Sequence, residues 1–245
     1  MRKPVLFSLL LLTAAAHLVL ADSFDWDLVN KVPAGINSCI IMDYDGVREG
    51  RAWFDNEGRL VKAETVPHGK DKFTLLMTNR YGVKGELLEH VTYGEDDPRL
   101  KEMVNYRNGR IREKQIYTWT EDTFVLTTNV DVTYDGTGNI VMITRRDMSG
   151  KELSHESYSY DDDGNLTEAV IEMLDEAGQI KVRIREEFNE FGHMVLQEFR
   201  NLNQGWSYRT IYKYTYNDKG LPVKVELYDS DNQETPHWGF LLEYN

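Results

Sequence analysis

Hydrophobic and polar residues alternate along most of this chain with a period of two. Ile180, Val182, Ile184 and Phe188 share one parity, and Lys181, Arg183, Arg185 and Glu187 share the other. Leu221, Val223, Val225 and Leu227 repeat the pattern opposite Lys224 and Glu226, and Phe124, Leu126, Val130, Val132 and Tyr134 form a further set. Successive side chains of a strand point to opposite faces, so each run predicts a half-buried antiparallel strand. Beyond residue 21, no stretch has the period of an ordinary helix.

A recurring frame punctuates these runs. It reads aromatic, Asp or Asn, two variable residues, Gly, a polar or small residue, then usually an apolar one. Its best copies are Tyr134-Asp-Gly-Thr-Gly-Asn-Ile, Tyr160-Asp-Asp-Asp-Gly-Asn-Leu, Phe188-Asn-Glu-Phe-Gly-His-Met and Tyr216-Asn-Asp-Lys-Gly-Leu-Pro. Gly164, Gly178, Gly192 and Gly220 lie 14, 14 and 28 residues apart, so the unit is 14 residues or twice that. Looser copies start at Met42, Trp53, Tyr81 and Tyr106, with drifting spacing. The frame suits a hairpin turn. Asp or Asn bonds to backbone two residues on, Gly supplies a positive φ, and the aromatic packs across the base of the strand pair. Asp175-Glu-Ala-Gly178 reads as one more β-turn rather than a helical one.

These features predict an all-β fold. Residues 39–245 form a single domain of repeated antiparallel hairpins, about a dozen strands in a long meandering, curled sheet. An open sheet of that length has edges and a second apolar face, so it must curl, sandwich or dimerise. Residues 22–38 are an irregular lead-in. Glu95-Asp-Asp-Pro98 reads as an exposed loop, because Pro removes a ladder donor and adjacent acids repel.

The Tyr-Asp-x-x-Gly-x-Leu frame resembles the YD or RHS-type repeat, best at 160–166, 134–140 and 216–221, and more loosely the MORN-like repeats. The resemblance covers about half of the chain beyond residue 21. It implies an exported or surface array of β-hairpins that serves as scaffold, encapsulating wall or carbohydrate-contacting surface. It implies no catalytic residues.

The N-terminus bears on where the protein works. Arg2 and Lys3 precede an apolar run from Val5 to Leu20, broken only by Ser8, Thr13 and His17, and Val19-Leu20-Ala21 fits a cleavage site. Residues 1–21 therefore read as a secretory signal peptide, the alternative being an uncleaved anchor. Setting aside Arg2 and Lys3 leaves 26 Lys and Arg against 41 Asp and Glu, a net charge of −15. A chain this acidic, without a basic patch, excludes nucleic acid and disfavours anionic membrane surfaces. The single cysteine, Cys39, cannot form an internal disulfide; it reads as a buried thiol, with intermolecular pairing as the alternative.

Candidate chemistry is sparse. In Trp206-Ser-Tyr-Arg-Thr-Ile-Tyr-Lys-Tyr-Thr-Tyr, the residues Trp206, Tyr208, Tyr212, Tyr214 and Tyr216 share one face. Such an aromatic stripe stacks on sugar rings or apolar ligands if open, and stabilises the sheet if covered. Asp161-Asp-Asp-Gly-Asn lacks the spacing and flanking helices of a calcium loop and reads as a solvated turn. His68, His90, His155, His193 and His237 lack zinc-motif spacing. No metal, cofactor or catalytic residue is assigned. The expected function is a non-enzymatic, exported binding or scaffolding module, periplasmic, envelope-bound or secreted, with carbohydrate, an apolar ligand or an envelope protein as partner. The alternatives are a half-barrel carrier of an apolar ligand and an outer-membrane β-barrel, which shares the two-residue alternation. A carbohydrate-active enzyme comes last.

Overall fold

The computed structural model describes residues 32–66, 72–94, 98–107, 109–230, 233–236 and 238–245. The signal-peptide stretch, most of the lead-in and the acids of 95–97 lie outside the described residues. The described chain is all-β and contains no helix. The first eight strands are β1 (Ser38–Met42), β2 (Arg48–Phe54), β3 (Leu60–Thr65), β4 (Thr74–Tyr81), β5 (Leu87–Tyr93), β6 (Pro98–Arg107), β7 (Arg110–Thr120) and β8 (Thr123–Tyr134). The next eight are β9 (Ile140–Asp147), β10 (Glu152–Tyr160), β11 (Leu166–Leu174), β12 (Ile180–Phe188), β13 (Met194–Asn201), β14 (Trp206–Tyr216), β15 (Pro222–Asp229) and β16 (Trp238–Tyr244).

The sheet is closed, not the curled open meander that the alternation predicts. Every strand pairs with its sequence neighbour, and β1 also pairs with β16, so the sixteen strands close into a barrel. Cys39 lies opposite Tyr244, and Ile41 opposite Leu242. Closure gives the first and last strands a ladder partner each, which removes the exposed edges an open sheet must hide. The half-barrel carrier needs an open sheet and does not match this strand order.

The described chain divides into two compact units. One takes in the residues up to Thr74 with Tyr214–Val225 and Gly239–Asn245; the other takes in Leu75–Lys213 with Glu226–Trp238. In the first, Cys39, Ala52 and Ala63 stand opposite one another across β1, β2 and β3, all fully buried. Burial pushes the Cys39 thiol up to about 12, so it stays protonated and inert. In the second, Ile171, Ile184 and Phe199 oppose one another across β11, β12 and β13 and are buried. Covering each such side chain stabilises by about 1.5–3 kcal/mol.

The repeating frame is the hairpin turn the alternation called for. In the 160–166 copy, Asp161 Oδ1 accepts the backbone N–H groups of Asp163 at 3.0 Å and Asn165 at 2.8 Å. Gly164 takes the left-handed conformation at φ 83° and donates to the Asp161 carbonyl. Tyr160 then sits opposite Leu166, as Tyr134 does Ile140 and Tyr81 does Leu87. The full unit is the two-stranded hairpin of about 28 residues, since the frame aromatic marks the close of the even-numbered strands only.

One parity reading changes. Leu126 opposes Tyr117 whereas Thr128 opposes Ile116, with a register shift between them. This β-bulge reverses which face the following residues take, so Phe124 and Leu126 lie on the face opposite Val130 and Val132.

Candidate functional site

Two features of the second unit stand apart from ordinary hairpin packing: an aromatic cluster at the β13–β14 turn and a charged network on the covered face.

The aromatic cluster is built by register. Antiparallel pairing sets Trp206 opposite Asn201 and Tyr208 opposite Phe199, so these four side chains share one face. Phe199 lies 5.0 Å from Trp206 and 5.1 Å from Tyr208, with interplanar angles of 20° and 5°. The Trp206 and Tyr208 centroids are only 6.0 Å apart, at 17°. Two rings that sandwiched a third would be further apart than that. Trp206 and Tyr208 therefore lie side by side over one face of Phe199. Phe199 is 3% exposed, while Trp206 and Tyr208 are 38% and 42% exposed. The exposed parts of the two rings form a small open aromatic platform, and the buried ring holds them nearly parallel.

The turn residues complete it. Asn201 Oδ1 accepts the Gln204 backbone N–H at 3.0 Å, and Gly205 donates to the Asn201 carbonyl at 2.8 Å. Gln204 Oε1 accepts from Trp206 Nε1 at 2.7 Å and from Asn201 Nδ2 at 3.1 Å. Both partners are donors, so the Gln204 amide is fixed with its N–H₂ turned away from them.

The structure thus separates the predicted stripe. Trp206 and Tyr208 are open to solvent, whereas Tyr212, Tyr214 and Tyr216 are half-buried. Tyr214 and Tyr216 belong to the first unit and pack at 6.0 Å and 30°. Phe199 and Gln204 were not singled out in the sequence, because pairing across the hairpin, not the text of β14, brings them to the rings.

The charged network was also missed. Lys114 Nζ is 2.8 Å from Glu102 Oε2, with side-chain exposures of 0% and 5%. Arg145 pairs with the fully buried Glu156, whose other oxygen accepts from Tyr158 at 2.5 Å. Burial pushes the Tyr158 phenol up, and it acts as a fixed donor. His90 lies opposite both Asn79 and Glu102, and its Nδ1 contacts Asn79 Oδ1 at 2.6 Å. An amide oxygen only accepts, so Nδ1 carries the proton. The other nitrogen, Nε2, is buried without a hydrogen-bond partner among the described residues. Burial first, and then the Lys114 charge, hold the imidazole pKa down against the opposing pull of Glu102. One signal in the sequence did point here: Lys114 shares parity with Ile116, and Glu102 with Val104.

The remaining candidates resolve as structure. The Asp161 carboxylate is spent on its own turn: its side-chain bond to Asn165, with the backbone donors, holds it below the usual carboxylate range. His155 bridges Glu152 at 3.0 Å and Glu172 at 2.7 Å. His193 stacks near Phe191, and His68 and His237 lie outside the described residues. Among the described residues, no cluster of His, Cys, Asp and Glu is placed to hold a metal.

No family model and no curated protein matches the chain. Among solved structures it is similar to a porin-like protein from Bacteroides uniformis, at 10% identity and a TM-score of 0.51, over 88% of this chain and 98% of that one. It is similar also to a porin-like protein from Bacteroides vulgatus, at 12% identity and a TM-score of 0.51, over 86% of this chain and 98% of that one. At this identity the likeness is one of fold: a closed β-barrel.

Proposed function

We propose that the chain is a water-facing β-barrel of the exported space, acting as a non-enzymatic binding module of the cell envelope. The distribution of charge between the two faces of the sheet carries this reading. On one face of β11 and β12, Glu172 is held by Arg183 Nε at 2.6 Å and by His155, and Arg185 bridges Glu168 and Glu187, each at 2.6 Å. Arg200 and Glu198 continue that face on β13. The opposite face of the same strands holds Ile171, Ile184 and Phe199, which are buried. The covered face also holds the Lys114–Glu102 and Arg145–Glu156 pairs, so the contrast is between ion pairs that reach solvent on one face and apolar side chains with a few buried pairs on the other.

A lipid-embedded barrel needs the reverse arrangement, an apolar outward band about 25 Å tall around a polar interior. Each Arg or Lys turned to the bilayer midplane costs about 2–4 kcal/mol. Pairs such as Arg183–Glu172 and Arg185–Glu168 are at home in water, and their number on one face favours an aqueous barrel. The open rings of Trp206 and Tyr208 give such a barrel a place to bind. Envelope location is supported by the signal-like N-terminus and by the porin-like description of its fold neighbours.

The fold likeness favours a second reading, an outer-membrane barrel. Phase separation in Triton X-114 after expression with the native N-terminus tests the two. The water-facing barrel partitions to the aqueous phase and stays folded without detergent. Recovery in the detergent phase, with heat-modifiable electrophoretic mobility, would overturn it in favour of the membrane barrel. Incubation with soluble glycans is expected to give no new reducing ends; measured hydrolysis would move the protein to the enzymes.

A further inference from the structure

The shape and polarity of the Trp206–Tyr208 platform name a ligand class. We infer that these two rings, backed by Phe199, are a stacking site for a neutral carbohydrate chain, engaging at least two consecutive pyranose rings. The inference rests on the binding-module reading and deepens it.

Trp206 and Tyr208 are nearly parallel, 6.0 Å apart at 17°, with Phe199 stacked against both, and present a partly exposed aromatic surface two rings long. Sites for apolar small molecules are concave and bury most of the ligand. An exposed ring pair leaves half of an apolar ligand in water but suits a pyranose, which offers one C–H face to a ring and keeps its hydroxyls at the edge.

The rim of the platform supplies a donor set. The Gln204 amide is oriented by Trp206 Nε1 and Asn201 Nδ2, and its N–H₂ is left over. The Tyr208 hydroxyl has no hydrogen-bond partner among the described residues. Both can meet sugar hydroxyls without breaking an existing bond, and the fixed amide is already ordered for the purpose. A partly open ring with a polar handle is the group that works at a half-wet surface.

Charge narrows the ligand class further. The charged neighbours on these strands belong to the opposite face: Arg200 opposes Ser207, and Arg209 opposes Glu198. The platform itself carries only indole, phenol and amide groups, so it has no means of selecting an anionic sugar. The ligand is a neutral glycan with equatorial hydroxyls, whose rings present unbroken C–H faces.

Native affinity electrophoresis of the full chain tests this, with hydroxyethyl cellulose, barley β-glucan and polygalacturonate in separate gels, and cellohexaose titrated by calorimetry. Retardation by a neutral glucan and not by polygalacturonate is expected. Trp206→Ala and Tyr208→Ala should each weaken binding about tenfold or more, with Trp206→Phe retaining most of it. Circular dichroism of each variant separates loss of binding from loss of fold. Retardation unchanged in folded Trp206→Ala, or no binding of any neutral glucan by wild type, would overturn the inference, as would tighter binding of oleate than of cellohexaose. The electrophoresis can also be run in detergent, so a barrel that partitions to membranes fails the earlier reading without deciding this one.

Discussion

The hydroxyl of Tyr160 donates a 2.7 Å hydrogen bond to the backbone carbonyl of Ile140, the residue that closes the neighbouring hairpin. The same tie recurs along the chain. Tyr134 accepts from the Ile111 backbone N–H at 2.8 Å, and Tyr244 donates to the Pro222 carbonyl at 3.0 Å. Two frame aromatics, Tyr160 and Tyr134, thus each bond a main-chain group of the preceding frame, a contact that tyrosine makes and phenylalanine cannot.

Tyr160→Phe keeps the ring and removes the hydroxyl that makes this tie. The Ile140 carbonyl loses a partner, which should destabilise the protein by about 0.5–1.5 kcal/mol. Urea unfolding measures it; an unchanged midpoint would show that water replaces the phenol without loss.

The buried pair Lys114–Glu102 predicts a larger and non-additive effect. Lys114→Met removes the ammonium paired with Glu102 on the covered face, and breaking such a buried pair costs about 3–5 kcal/mol. Adding Glu102→Gln removes the partner carboxyl as well and should recover most of that loss. A double-mutant cycle in urea checks the sign. Additive losses would mean that the two side chains do not depend on each other.

A pH dependence follows from His90. Its folded pKa lies below the ordinary value of 6.5, chiefly through burial. The unfolded chain therefore binds a proton that the folded one refuses. Stability from this group is fully present above about pH 6.5 and is lost as the pH falls toward the folded pKa, by up to about 1.4 kcal/mol per pH unit. The groups facing His90 are Asn79 on β4, Glu102 on β6 and Lys114 on β7. Melting temperatures between pH 7 and 5 should fall for wild type and flatten over that range in His90→Gln. Parallel curves would assign the slope to other groups.

Much of this fold was legible in the sequence because its causes are local. The period of two marks strands, and Asp161 with Gly164 marks a turn that closes on its own backbone. Closure was not legible, because Cys39 and Tyr244 meet only after every intervening hairpin has formed. The bulge in β8 was not legible either, since one extra residue reverses a face without changing composition. Trp206 and Tyr208 were found from their own strand, but their arrangement as a platform depends on Phe199 across the hairpin. Lys114 and Glu102 share parity with Ile116 and Val104, but only pairing of β6 with β7 on a covered face makes them a buried pair.

Two glycines of the same frame should respond differently to substitution. Gly58 and Gly164 have nearly the same backbone, at φ 76° and 83°. An added Cβ at Gly164 meets nothing within 4 Å, so Gly164→Ala suffers backbone strain alone, about 1 kcal/mol. At Gly58 the same atom runs into the Val32 carbonyl oxygen, in the segment whose Val32 N–H donates to the Gly58 carbonyl at 2.8 Å. Gly58→Ala therefore adds displacement of that segment to the strain and should destabilise by clearly more than Gly164→Ala. The comparison is made by urea midpoints of the two variants side by side. Equal losses would show that the Val32 segment yields freely and contributes little to holding β2 and β3 in place.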